Sequence, residues 1–141
     1  RGEGGFGGDP GPKPDNDRPG RDPDHVAEFK TLPQQALVYR LSGDKNPLHA
    51  DPAFAAMAGF DRPILHGLCT YGIVCRSVVD TLLSGDVGRV ARYTTRFSGV
   101  VFPGDTVVTS MWEEGDRILL EASTAESGRP VLTNAALMLR D

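Results

Sequence analysis

The chain has 141 residues, 39% hydrophobic and 24% charged, within the range of ordinary globular proteins. Its formal net charge is −4, from 15 Lys+Arg against 19 Asp+Glu, which argues against non-specific nucleic-acid binding. No apolar run approaches the ~18 residues of a membrane-spanning helix, and the length suits one domain, or one domain with a tail.

Glycine and proline crowd the N-terminal segment. Residues 1–24 hold 7 of the 17 Gly and 5 of the 11 Pro, and Phe6 is their only large apolar residue. Such a composition cannot bury enough surface to offset its ordering entropy. A flexible linker or arm is expected over 1–24 and a domain over 25–141. The start at Arg1, without Met, adds the expectation of further chain upstream.

Val26 to Lys30 reads as a short strand. Thr31 and Gln34 then have capping-box spacing, with Pro33 in the first turn, so a helix is expected from there to Leu41, stopped by Gly43. Residues 43–50 form a loop, because Asn46 precedes Pro47 and is pushed out of helical geometry. Asp51-Pro52 is a second helix start and Gly59 its stop. The longest element runs from about Gly67 to Leu83, with Leu68, Tyr71, Cys75, Val78, Val79 and Leu82 at helical spacing and Ile73, Val74 and Leu83 widening the apolar face. Four strands follow, at 89–98, 106–112, 117–125 and 131–140, joined by short Gly- or Pro-containing turns that imply antiparallel pairing. The fold class is therefore α+β, a curved antiparallel sheet wrapped around one long helix. Cys69 and Cys75 stand six apart in that helix, about 9 Å along its axis. That exceeds the ~7 Å reach of a disulfide, so both are expected as free thiols in a reducing compartment.

The residues that can carry chemistry are Asp44, Asn46, His49 and His66-Gly67. Asp44 and His49 would point about 140° apart on a regular helix. On a Gly-bounded, Pro-bent loop they can converge on one cleft as a general acid/base pair, each group contributing ~10²–10⁴-fold. Asn46 can orient one of them or the substrate. Gly67 opens the long helix, where unpaired N–H groups and the dipole suit a carbonyl oxygen gaining negative charge.

Plainer readings stand beside these. Gly-Asp followed by Asn-Pro is also an ordinary turn, Asp51 a helix cap, and His25 a surface residue. His66 either packs at the helix start or meets substrate. A metal site from His49, Asp51 and His66 matches no known spacing and competes with the cap at Asp51. Cys69 as a nucleophile with His66 as base conflicts with its position on the apolar face. Arg92 and Arg96, on one strand face, could meet phosphates or simply be solvated.

Three segments resemble the MaoC-like, or hydratase 2, family: Leu37 to His49, continued by Asp51 to Ala55; Pro63 to Thr70; and Arg96 to Asp105. They fall in order along residues 25–141, and within the family they look most like the C-terminal half of the hydratase 2 unit of peroxisomal multifunctional enzyme type 2 and its bacterial relatives. The resemblance implies the hot-dog fold, with Gly67–Leu83 as its central helix. It implies reversible hydration of trans-2-enoyl-CoA to (3R)-3-hydroxyacyl-CoA in fatty acid metabolism. By the same resemblance Asp44 and His49 are the catalytic pair, Asn46 their support and the Gly67 N–H the oxyanion donor. Lys45, Pro47, Leu48, His66 and Phe97 are expected at the substrate. No metal or other cofactor is implied, the CoA thioester being the substrate.

Long-chain enzymes of this kind carry two hot-dog units in one chain, and this sequence has one. Residues 1–24 resemble the end of the first unit and its linker. The expected partner is that N-terminal half, or else a second copy of this chain. The expected location is cytoplasmic in a bacterium and peroxisomal in a eukaryote. Two rival functions remain: a hot-dog acyl-CoA thioesterase, against which the Asp-x-Asn-Pro-x-His loop speaks, and a non-catalytic acyl-thioester-binding subunit.

Overall fold

The computed structural model describes residues 7–8 and 14–140. Five strands form one antiparallel sheet in the order β1-β3-β4-β5-β2, with β1 at His25–Lys30, β2 at Val90–Phe97, β3 at Thr106–Glu114, β4 at Arg117–Thr124 and β5 at Pro130–Leu139. Between β1 and β2 lie the short helices α1 (Gln35–Tyr39) and α2 (Pro52–Met57) and the long helix α3 (Gly67–Leu82). Period-2 alternation along β3 and β4 sends Val107, Met111, Ile118 and Leu120 to one face. There they share a core with Cys69, Ile73, Val74 and Val78 of α3, to which Ala27 of β1, Ala135 of β5 and Tyr93 of β2 also contribute. A sheet packed around one helix is the architecture the sequence implies.

Two details differ from the expectations. The buried stripe of α3 is Cys69, Thr70, Ile73, Val74, Ser77, Val78 and Val79, whereas Leu68 is 62% exposed. The helix is rotated so that its first turn presents Gly67 and Leu68 outward. The capping box at Thr31 does not form. The N-cap of α1 is Gln34, without a side-chain bond, and a 3₁₀ turn at Arg40–Ser42 extends the helix. The Thr31 hydroxyl instead donates to the Asp105 carbonyl at 2.7 Å and accepts from the Gly104 N–H at 2.9 Å. It thereby ties the start of the α1–α2 region to the turn before β3.

The second face of the sheet carries Trp112, Leu119 and Ala136. Over residues 14–24 the segment expected as a flexible linker or arm lies along the sheet and bonds to it; residues 1–6 and 9–13 of that segment lie outside the described residues. The Asn16 amide reaches Thr94 at 3.4 Å, Asn134 donates to Asp17 at 2.9 Å, the Trp112 indole N–H donates to the Arg21 carbonyl at 3.0 Å and Asp24 accepts from the Glu113 N–H at 2.9 Å. The composition lacks apolar anchors, and polar side chains supply the attachment.

After β2 the chain passes Gly99 so closely to β5 that a Cβ there would sit 2.4 Å from the Pro130 carbonyl oxygen. That contact is with backbone, which cannot swing aside. Gly99→Ala is expected to cost about 1–3 kcal/mol, the usual range for overpacking, read as a lower urea midpoint at unchanged slope. An unchanged midpoint would show that the β2–β3 segment is free to shift.

Candidate active site

The loop from Gly43 to Ala50 is shaped by its own side chains. The Asp44 carboxylate accepts from the Asn46 N–H at 3.1 Å, and the Asn46 side chain accepts from the Leu48 N–H at 3.0 Å. These two Asx turns and Pro47 bend the chain into a 3₁₀ turn at Pro47–His49. Asp51 then caps α2 as expected, accepting from Ala53 N–H at 2.8 Å and Phe54 N–H at 3.3 Å.

The turn delivers His49 into the interior, where its Nδ1 lies 2.8 Å from the Ile64 carbonyl. A carbonyl only accepts, so Nδ1 carries the proton and Nε2 keeps a lone pair. His66, 1% exposed, lies against it: the two imidazoles stack with centroids 3.7 Å apart and 25° between planes. The His66 Nε2–H donates to the Asp44 main-chain carbonyl at 3.1 Å. A carboxylate oxygen of Asp44 and one ring nitrogen each of His49 and His66 all fall within 4.8 Å of one another.

Among the described residues this trio is also the group that could hold a cation, a different set from the His49, Asp51 and His66 of the sequence. The stacking works against that use. An ion ~2.1 Å from a nitrogen of each ring would lie between two nearly parallel planes, well out of both.

His49 lines pockets on two sides. One, of about 140 Å³, is bounded by His49, Ile64, Gly67, Thr70, Phe97 and Val100 among others. The other, of about 280 Å³, is lined by Pro33, Ala36, Leu37, Arg62, Pro63 and Pro103 as well as His49 and Ala50. Gly67 is the first residue of α3, so its N–H has no helical partner, and the preceding His66 supplies no side-chain cap. Room is tight here: a Cβ would meet Phe97 Cε1 at 3.1 Å, so the Phe97 ring would have to give by a few tenths of an ångström.

The structure thus brings Asp44 to His49, and His49 to the pocket it shares with Gly67 and Phe97, with Asn46 shaping the loop; Asp44 and Asn46 line neither pocket themselves. Lys45, Pro47 and Leu48, expected at the substrate, line neither pocket. His66, also expected there, is sealed behind His49. Cys69 is buried, and burial pushes its thiol up, away from the thiolate a nucleophile needs. Arg92 and Arg96 are exposed on β2 and line neither pocket. The walls Thr70, Val100 and Val101 lie within the segments that carry the family resemblance, but sequence reasoning assigned them no place at the site.

Burial pushes the His66 imidazole below its ordinary 6.5; the bond to the Asp44 carbonyl opposes this, and His49 and Arg40 reinforce it. The folded protein therefore refuses a proton that the unfolded chain accepts. Stability is expected to fall as pH drops through about 6.5, the unfolded value, and to level off below the depressed folded one. His66→Phe should flatten that limb of the urea-midpoint profile. An identical slope in the variant would assign it to other groups.

One long helix packed on an antiparallel sheet, with an Asp/His loop whose His49 shares a pocket with the first residue of that helix, defines a hot-dog domain. Residues 15–135 match the family described as MaoC like domain, and the chain belongs to it. It is 56% identical over 119 residues to enoyl-CoA hydratase ChsH3 of Mycobacterium tuberculosis, covering 84% of this chain and 42% of that one. The solved MaoC-like dehydratase of Phytophthora capsici superposes with a TM-score of 0.91 at 42% identity, covering all of this chain and 50% of that one. Full-length peroxisomal multifunctional enzyme type 2 from Drosophila melanogaster gives 0.86 at 42% identity, covering 88% of this chain and 23% of that one. The chain spans half or less of the length of these relatives.

Proposed function

We propose that this domain carries the acid/base site of an (R)-specific enoyl-CoA hydratase, adding water reversibly to trans-2-enoyl-CoA to give (3R)-3-hydroxyacyl-CoA. The observation that carries the reading is the Asp44 carboxylate beside a His49 whose Nδ1–H is committed to Ile64, with His49 sharing a pocket with Gly67, the first residue of α3. The free Nε2 of His49 takes a proton from water as the oxygen bonds to C3. The C2=C3 electron pair moves toward the thioester, and the carbonyl oxygen gains charge opposite the Gly67 N–H. Asp44 orients the water, and the pair returns the proton to C2. H and OH of one water both end on the substrate, the residues are restored, and this redox-neutral addition calls on no cofactor. Relatives named enoyl-CoA hydratase ChsH3 and peroxisomal enoyl-CoA hydratase 2 support this reading.

A second hot-dog unit belongs to the same proposal, either an N-terminal half or a second copy. The 140 Å³ pocket is below the ~300–1,000 Å³ of typical ligand sites. Near it Leu68, Phe97 and Val100 are exposed at 62%, 50% and 39%. Strand β2 is an edge with unpaired backbone groups. A partner covering these would complete the acyl site.

The test is hydration of crotonyl-CoA and a longer trans-2-enoyl-CoA, followed at the enoyl absorbance with chiral analysis of the product, with and without an upstream hot-dog unit. A (3R)-alcohol is expected. A (3S) product, or thiol release without hydration, would overturn the reading.

A further inference from the structure

We infer that His66 is a positioning residue, buried behind the reacting groups, which holds the Asp44–His49 loop in its working shape through its ring face and its Nε2–H. The inference deepens the hydratase reading and rests on it for its kinetic part. His66 is the N-cap residue of α3, yet its side chain makes no cap bond and turns inward. It is wedged between two rings, with Tyr39 at 4.7 Å between centroids and His49 at 3.7 Å. Its only proton donor, Nε2–H, goes to the main-chain carbonyl of Asp44, twenty-two positions away. Its other nitrogen, Nδ1, is buried and has no hydrogen-bond partner.

That orphaned nitrogen is the informative feature. Buried polar atoms without partners cost free energy and are uncommon. A leucine or phenylalanine would pack in the same place without the cost. What neither could supply is the pairing of a flat face against His49 with an N–H aimed at Asp44. These two contacts fall on the two residues whose spacing the chemistry depends on. Among the described residues, the loop's other hydrogen bonds to the body of the domain both go to Ile64, whose carbonyl meets His49 Nδ1 and whose N–H donates to the Leu48 carbonyl at 3.4 Å; the side chains of Asp44 and Asn46 bond within the loop. Since His66 is 1% exposed and lines neither pocket, it acts through its neighbours and not on substrate.

Two variants separate its contacts. His66→Phe keeps the ring and deletes the N–H; His66→Gln keeps an N–H near the Nε2 position and deletes the ring. In the protein paired with its hot-dog partner, His66→Phe is expected to lower kcat about tenfold or more with KM within about twofold, and His66→Gln to recover part of the loss. A raised KM with unchanged kcat would mean that His66 meets substrate, and kcat within twofold of the parent would mean that it only fills space; either overturns the inference. Amide hydrogen exchange supplies a readout independent of turnover. Exchange at the Leu48 and His49 amides, both bonded to Asn46, is expected to rise about tenfold in His66→Phe and to fall only part of the way back to the parent in His66→Gln. Unchanged loop exchange in a folded His66→Phe overturns the positioning role even if the parent protein hydrates no enoyl-CoA. If His66→Phe does not fold, His66→Gln decides by the same two measurements, since loss of the stack alone must then raise loop exchange and lower kcat.

Discussion

Asp44→Asn and His49→Asn are each expected to lower the hydration rate by about 10²–10⁴-fold while leaving the fold in place. Asparagine at 44 is isosteric, and its amide oxygen still accepts from the Asn46 N–H, so the Asx turn survives. What it loses is the charge that orients water. Asparagine at 49 places an N–H near the position of Nδ1, so the Ile64 carbonyl keeps a donor, but no lone pair remains at the place of Nε2. His49→Ala would be a poorer probe, since it would also orphan that carbonyl and unstack His66. If the two groups act on one water, their losses do not add, and the double variant should be about as slow as the worse single one. The comparison is made on folded protein, with urea midpoints close to the parent. Turnover within tenfold of the parent in either single variant would remove that residue from the chemistry.

Most of the framework was legible in the sequence because its signals are local. Asp51-Pro52 caps α2 through bonds two and three residues ahead, a distance at which residue type decides geometry. The strands announced themselves by alternation and by turns such as that at Gly115-Asp116. The Asp44–His49 loop stood out because Gly43, Asn46 and Pro47 together exclude a helix.

What stayed hidden depends on contacts between distant parts of the chain. Thr31 and Gln34 have the spacing of a capping box, yet the Thr31 hydroxyl serves a turn 73 and 74 residues away. The apolar pattern of α3 suggested a face including Leu68 and Tyr71, but periodicity cannot say where the sheet ends. The core closes over Cys69 and Ile73 and leaves Leu68 outside. The segment before β1 looked unattached because its anchors, Asn16, Asp17 and Asp24, are polar and their partners lie on the sheet. His66 was recognisable as a candidate, but only the fold shows it lying behind His49.

Gly67→Pro is expected to lower kcat by about 10²–10³-fold, the usual effect of deleting one oxyanion donor, in a protein that still folds. The site happens to permit a substitution that is normally disruptive. Gly67 is the first residue of α3, where proline is favoured because the N–H it lacks has no helical partner. The preceding His66 sits at φ −60° and ψ 134°, the extended backbone that a residue before proline prefers. Proline also brings a Cβ, which would approach Phe97 Cε1 to 3.1 Å. Gly67→Ala therefore measures the steric part: Phe97 is half exposed, its ring can give way, and this variant should stay within about tenfold of the parent. The further loss from alanine to proline isolates the amide. If alanine and proline variants of equal stability turn over equally fast, the Gly67 N–H stabilises no developing charge, and the helix start contributes only space for the thioester.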